Sequence, residues 1–283
     1  MKILITGASG YLGKNFISNY SNSYAIKTFS LQNMSIDKLD CSNIDTVIHM
    51  AALVHQMHGA TSDEYQRINV QYTIELAKKA KITGVKQFIF ISSLAVYGNV
   101  NGVITEDTIC SPITDYGKSK LDAEIMLQKM EDKDFIISIV RPPMIYGKNA
   151  PGNIVSLIKL INTVPILPFA KINNRRNFVY IDNLIHLINT IIDKKKSGIF
   201  LASDDDSIST TKLIQLIANK SNKKTYLVKI PFFESLLKLV KPSFHKRLYE
   251  SLEVDNSITK EKLKLVNPYS TEDGIKLMIN NEF

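Results

Sequence analysis

Lys2-Ile3-Leu4-Ile5-Thr6-Gly7-Ala8-Ser9-Gly10-Tyr11-Leu12-Gly13 opens the chain and decides how the rest is read. Lys2 to Thr6 is a short apolar run that ends in glycine, as a strand buried in a parallel sheet does. A helix is expected to follow from Tyr11 to about Asn19. Between them Gly7 permits a tight turn, Gly10 lets backbone approach a pyrophosphate, and Gly13 lets helix and strand pack closely. The first helical turn, with Tyr11 and Leu12, offers unpaired N–H groups and a partial positive charge to phosphates. The glycine spacing is wider than the common dinucleotide pattern. Glycines in such a turn can also be purely structural, and their place between strand and helix is what favours the dinucleotide.

Outward from this turn the alternation repeats. Thr46 to Met50 and Gln87 to Ser92 read as central strands, with helical periodicity from Glu64 to Lys81 between them. Tyr116 to Met130 is a further amphipathic helix and Phe135 to Val140 the next strand. Alternating strands and helices imply an α/β fold, a Rossmann-type doubly wound parallel sheet. The pattern changes after Tyr146-Gly147, where Pro151, Gly152, Pro165 and Pro168 interrupt it. Residues 1–147 are expected to form the dinucleotide-binding domain, with 178–200 returning to it as a strand and helix. Residues 148–177 and 201–283 are expected to form a smaller mixed C-terminal lobe, with the substrate between the two parts.

With 283 residues, 45% of them hydrophobic and 22% charged, the chain can bury a sizeable core and is not compositionally disordered. A strand beginning at Met1 is expected to leave no room for a targeting peptide, and no apolar run reaches spanning length. Cys41 and Cys110 lack metal-ligand spacing and fit a reducing compartment, so cytoplasm is the expectation. The net charge of +8 fits a solvated basic surface or attraction of phosphate-bearing small molecules. Nucleic acid is not expected, because no basic run is interleaved with stacking aromatics. Lys238 to Lys241 and Lys246-Arg247, near Phe232, Phe233 and Phe244, leave contact with an anionic membrane surface open.

An acid at the end of the second strand usually binds the ribose 2′-hydroxyl. Here Ala25-Ile26-Lys27-Thr28-Phe29 is followed by Ser30, so neither a carboxylate nor an arginine stands there. NADP is permitted and NAD is not preferred. Asp40, with Cys41 beside it, reads as an adenine neighbour or as a turn residue.

Tyr116 and Lys120 are four apart on an expected helix and share a face. Among the chain's twelve tyrosines only Tyr116 has a lysine at that spacing. A nearby ammonium, and the positive nicotinamide of an oxidised cofactor, are expected to lower a phenol from its usual value near 10. The tyrosine then becomes a general acid or base. Ser93, at the end of the strand upstream, is placed to hydrogen-bond the reacting oxygen or to close the turn. His49, His55 and His58 lack the carboxylate or cysteine that would complete a ligand set, and no metal is expected. His49 falls within a strand and should be core, whereas His55 and His58 can face the substrate.

Gly7-x2-Gly10-x2-Gly13, His49-Met50-Ala51-Ala52, Ser92-Ser93-Leu94-Ala95-Val96-Tyr97-Gly98, Tyr116-x3-Lys120 and Arg141-Pro142-Pro143 together resemble an extended short-chain dehydrogenase/reductase of the NAD-dependent epimerase/dehydratase family. Arg141 to Gly147, Pro151-Gly152-Asn153 and Asn173 to Leu184 resemble bacterial capsule and O-antigen 4-ketoreductases. The resemblance implies reduction of the C4 ketone of a UDP-4-keto-6-deoxy-N-acetylhexosamine, giving UDP-N-acetylfucosamine or UDP-N-acetylquinovosamine. It gives Ser93, Tyr116 and Lys120 catalytic roles and lines the cofactor cleft with Ala51, Ala52, Asn69 and Ile91. Pro142 and Pro143 then lie beside the nicotinamide, Asn153 meets the nucleotide-sugar, and Arg176 (or its neighbour Arg175) meets the diphosphate. The expected cofactor is NADPH in preference to NADH, and a homodimer is left open. Two departures stand out: Ser30 replaces the usual acid, and Met144 stands where many epimerases carry an asparagine. A nucleotide-sugar 4-epimerase with retained NAD and a non-catalytic dinucleotide sensor are the rival readings.

Overall fold

The structure is a computed structural model, which describes residues 1–30, 35–54 and 59–280. The chain alternates β1 (Lys2–Thr6), α1 (Tyr11–Tyr20), β2 (Ala25–Phe29), β3 (Thr46–His49), α2 (Ser62–Tyr65), α3 (Tyr72–Ile82) and β4 (Gln87–Ile91). It continues through β5 (Gly102–Ile104), α4 (Asp115–Gln128), β6 (Ile136–Arg141), β7 (Ile145–Tyr146), α5 (Asn153–Thr163), β8 (Ile166–Leu167) and β9 (Val179–Tyr180). Then follow α6 (Ile181–Lys194), β10 (Gly198–Leu201), α7 (Thr210–Lys220), β11 (Tyr226–Leu227), α8 (Phe233–Val240), α9 (Pro242–Tyr249), β12 (Leu252–Val254), α10 (Ser257–Leu263) and α11 (Thr271–Asn280).

Six strands form one sheet in the order β10-β6-β4-β3-β1-β2, every pair parallel. The strand order reverses between β1 and β3, which opens a crevice beyond their carboxyl ends, where α/β sheets bind ligands. Both faces are covered, so β3 and β4 are buried at every position rather than alternately. Ile3, Ile5, Ile48 and Ile89 point into the core beneath α6 and α7, whereas Leu4, Val47, Phe88 and Phe90 point into the core beneath α3 and α4. β2 pairs on one side only, and four of its five residues are at least partly exposed. The described part of the β2–β3 crossover holds a single 3-10 turn, Ile36–Lys38, in keeping with a segment too short for a second helix.

α6 returns the chain to the sheet. Tyr24, just before β2, donates to Asn189 on α6 at 2.7 Å, and β10 then lies beside β6. The C-terminal elements share the larger core with the sheet, through Tyr146, Ile154, Phe169, Ile214 and Ile275. Buried Asp204 ties them together: it accepts from Tyr146 Oη at 2.7 Å, Asn183 Nδ2 at 2.7 Å and the Tyr180 amide at 3.0 Å. Burial raises the Asp204 carboxyl above its usual range, and the three donors act against that.

Candidate functional site

The loop after β1 and the loop after β3 meet at the switch point. Gly7 has φ +77°, a conformation that side chains disfavour, and a Cβ there would sit 2.6 Å from the Ala51 nitrogen. The Gly10 amide donates to the Gly7 carbonyl at 3.0 Å. Gly10 caps α1 with extended backbone, no side chain caps the helix, and its first turn carries no acid. A side chain at Gly13 would collide with the Gly7 carbonyl. A bare helix N-terminus above a glycine turn is a cradle for an anionic pyrophosphate. Tyr11 and Leu12 are half-buried and pack against the core, and a Cβ at Gly147 would meet the Tyr11 hydroxyl at 2.6 Å. Their peptide groups open the first turn of α1, and the buried Tyr11 hydroxyl has no hydrogen-bond partner among the described residues.

Asn69 acts on the second loop. It sits in a π-helical turn, Gln66–Gln71, inserted between α2 and α3. Its Oδ1 accepts from the Leu53 amide at 2.8 Å, and its Nδ2 donates to the Leu53 carbonyl at 3.0 Å and to Ser119 Oγ at 3.0 Å. One buried side chain thus fixes the strand end that carries Ala51 and Ala52, both half-buried, and links it to α4. The extra residue of a π turn re-aims side chains locally, and such turns cluster at functional sites.

On the far side of the crevice, Tyr116 approaches Ser93. α4 starts at a Thr114 cap, whose hydroxyl accepts from the Gly117 amide at 3.1 Å. A Cβ at Gly117 would sit 2.5 Å from the Ala95 carbonyl, so only glycine lets α4 lie this close to the turn after β4. Ser93 serves in two ways there. Its Oγ accepts from the Ala95 amide at 3.1 Å, closing the Leu94–Tyr97 turn, and it hydrogen-bonds the Tyr116 phenol.

The phenol is nevertheless pushed up to about 12: burial dominates, the Ser93 hydrogen bond lowers it, and Tyr65 raises it further. The sequence argument expected a phenol lowered by the lysine. The difference lies in the phenol's own burial, the largest of these causes. Lys120 is itself only 2% exposed, and burial lowers its value to about 7, with Glu124 opposing the fall. The Lys120 ammonium lies 4.2 Å from the Phe90 ring centroid. Among the described residues no hydrogen bond holds it, which leaves its donors for hydroxyls of a bound group. This orphaned donor and the glycine cradle fit a dinucleotide.

Sequence reasoning missed the buried frame around Lys120. Glu124, one turn further along α4, meets Arg141 at the end of β6 at 2.5 Å, and Arg141 donates to Tyr97 Oη at 2.7 Å. Burial acts to lower Arg141, but its bond to Glu124 outweighs this and holds it above its ordinary value. The signals were the Lys120-x3-Glu124 spacing and an arginine closing an otherwise apolar strand. His49 is core, as its strand position implies: it bonds Thr6 at 2.6 Å and Thr73 at 2.8 Å. Burial and the nearby Lys120 charge push it down to about 3, so it is neutral at working pH. His55 and His58 lie outside the described residues. Among the described residues no three His, Cys, Asp or Glu side chains group as a metal would need.

The remaining candidates spread along the crevice. Ile91 is buried at the end of β4. Pro142 is buried and its carbonyl accepts from the Leu94 amide at 3.1 Å, while Pro143 is half-buried. Ser30 is exposed at the end of β2. Asp40 is exposed and its carboxylate caps its own turn by accepting from the Ser42 amide at 2.8 Å. Hydrogen bonds from Ser42 hold that carboxyl below its usual value. The Cys41 side chain faces the core beneath α3, so only its backbone can meet an adenine. Asn153 is the first residue of α5, and its side chain lies outside what the structure describes. The two arginines diverge. Arg175 is exposed and pairs with Glu253 at 2.6 Å. Arg176 turns inward, where its Nη1 donates to the Glu250 carbonyl at 2.9 Å, and its other nitrogens carry no hydrogen bond among the described residues.

A profile of the NAD dependent epimerase/dehydratase family matches residues 3–201. The chain is 34% identical to a UDP-glucose 4-epimerase of Vibrio cholerae, over 97% of this chain and 93% of the relative. A UDP-glucuronic acid 4-epimerase of Bacillus cereus in complex with NAD superimposes with TM-score 0.78 at 22% identity, over 99% of this chain and 98% of that one. RMD from Pseudomonas aeruginosa, complexed with NADPH, superimposes with TM-score 0.80 at 17% identity over 99% of both chains. The latter two likenesses speak for the fold alone. The extent of the profile match and the 34% identity show that the chain belongs to the NAD-dependent epimerase/dehydratase family.

Proposed function

We propose that the chain is a nucleotide-sugar 4-ketoreductase, reducing the C4 carbonyl of a UDP-4-keto-6-deoxy-N-acetylhexosamine. The observation that carries this reading is the buried Tyr116 phenol beside Ser93, a group that is protonated at neutral pH at its ordinary value and that burial only raises. Ketone reduction needs a proton donor, whereas an epimerase opens its cycle by taking a proton from a sugar hydroxyl.

A bound, reduced nicotinamide supplies the hydride for the C4 carbon. Gly7, Gly10 and the first turn of α1 hold its pyrophosphate, and Ala51, Ala52, Pro142 and Pro143 line its cleft. Ser93 donates a hydrogen bond to the C4 oxygen and polarises it. Tyr116 then delivers its proton to the alkoxide as that oxygen gains charge. Lys120 binds hydroxyls of the ribose. Arg176 offers its free nitrogens to the diphosphate, for which a guanidinium fork is well shaped. NADPH is favoured, because β2 ends in exposed Ser30 and no carboxylate there repels a 2′-phosphate.

A 4-epimerase with retained NAD is the second reading, favoured by the 34% identity over almost the whole chain. Single-turnover assays with each reduced cofactor and a UDP-4-keto-6-deoxy sugar separate the two. Oxidation of one added reduced cofactor per sugar reduced supports the proposal, and UDP-hexosamine interconversion on tightly held NAD⁺ contradicts it.

A further inference from the structure

We propose that the α8–α9 hairpin is a docking face for an anionic phospholipid bilayer, holding the enzyme on a membrane surface without crossing it. α8 is built from Phe233, Leu236, Leu237, Leu239 and Val240 with only three polar residues, yet none of its residues is buried. Phe233 and Leu237 lean toward the protein, and Phe233 packs on Phe169. Phe232, Leu236, Leu239 and Val240 are spaced as one helical stripe, and they are 87%, 58%, 82% and 64% exposed. Ile230 and Phe244 extend the patch at 49% and 44%. Phe232 is held with φ +60°, a strained setting for an aromatic residue that places its ring in water. Scattered exposed apolar residues need no explanation, but a contiguous stripe ending in a strained phenylalanine marks a contact surface.

Charge identifies the occupant. Between residues 229 and 247 stand Lys229, Lys238, Lys241, Lys246 and Arg247, against the single carboxylate of Glu234. Glu234 is itself engaged by His245 at 3.4 Å. An apolar stripe inserted among acyl chains, with lysine stems reaching back to phosphate headgroups, matches an anionic membrane interface. A second copy of the chain does not match. A twofold contact would set this basic surface against itself, and a hairpin of two eight-residue helices offers less than a stable dimer face needs. No helix among the described residues is long and apolar enough to cross a membrane, so the contact is peripheral. Arg176 clasps the carbonyl of Glu250 immediately after α9. If the proposed function holds, docking therefore also sets how the diphosphate end of the crevice faces the bilayer; the docking itself does not depend on that reading.

The test is flotation of the full chain with phosphatidylcholine vesicles, with and without about 30% phosphatidylglycerol, a content giving a strongly negative surface. Binding is expected to the anionic vesicles only, and to weaken as salt rises from about 0.1 M to about 0.5 M. Leu239→Glu should lower the partition at least about tenfold, the scale of one lost apolar insertion. Lys238→Gln with Lys241→Gln should lower it about fivefold per residue. Circular dichroism and dinucleotide binding should be unchanged in both variants, which separates lost docking from lost folding. Absence of vesicle binding overturns the proposal, as does binding that Leu239→Glu leaves intact. A dimer that Leu239→Glu splits in sedimentation, without vesicle binding, overturns it in favour of a second copy.

Discussion

Replacing Lys120 by methionine removes a buried ammonium and keeps the bulk of its stem. In the folded chain the ammonium's value is lowered from 10.5 to about 7, chiefly by burial. At about 1.4 kcal/mol per pH unit this is a folding penalty of about 5 kcal/mol wherever both states are charged. Between pH 7 and 10.5 the unfolded chain binds the extra proton, so stability rises with pH across that window. The penalty is complete below about pH 7 and has shrunk to about 2 kcal/mol at pH 9. Lys120→Met should therefore be more stable than the parent, and by about 2–3 kcal/mol more at pH 6 than at pH 9. Glu124 is not orphaned by the change, because Arg141 still holds it at 2.5 Å. The assay is urea unfolding of both proteins, free of cofactor, from pH 6 to pH 9. A variant less stable than the parent, or a difference flat with pH, refutes the reasoning. The same variant should bind dinucleotide more weakly, since the proposed function assigns the Lys120 donors to the ribose.

Tyr116→Phe should lose turnover by about 10²-fold or more while cofactor affinity, read by fluorescence titration, stays near normal. Arg176→Ala should raise KM for the nucleotide-sugar and leave NADPH binding unchanged, whereas Arg175→Ala, which breaks side-chain bonds to Glu253 and Ser207, should change neither. Asn69→Ala strips three hydrogen bonds from the Leu53 peptide and Ser119; urea titration should show a loss of about 1–3 kcal/mol, with cofactor affinity falling alongside.

The parts of this molecule legible in its sequence are those set by local pattern. Largely apolar runs, the first of them ending in glycine, marked β1, β3 and β4, because a sheet covered on both faces favours them. Tyr116-x3-Lys120 was visible because helical spacing alone puts the two side chains on one face. What stayed hidden depends on pairing at a distance. Asn69 enters the sequence reading only through the family resemblance, as a cleft residue; its bonds to Leu53, sixteen positions away, come from the π turn that aims it there. Glu124 and Arg141 belong to different elements, and only the packing of α4 on β6 makes them one buried pair. The Tyr116 phenol is another case. Sequence supplies the neighbouring lysine but not the burial of the phenol, which is the largest cause of its raised value. The sequence singled out Lys238 to Lys241 and Lys246-Arg247 beside Phe232, Phe233 and Phe244, but that α8 leaves none of its residues buried is a fact of the folded chain.

The reductase reading rests on a phenol that starts its cycle protonated, and one measurement addresses it directly. Purified protein is mixed with NADPH and a UDP-4-keto-6-deoxy-N-acetylhexosamine while absorbance of the reduced nicotinamide is followed. One NADPH consumed per sugar reduced, with an NADPH-dependent rate that Tyr116→Phe abolishes, is the predicted result. No consumption of NADPH, together with interconversion of UDP-hexosamines on NAD⁺ carried through purification, would contradict it.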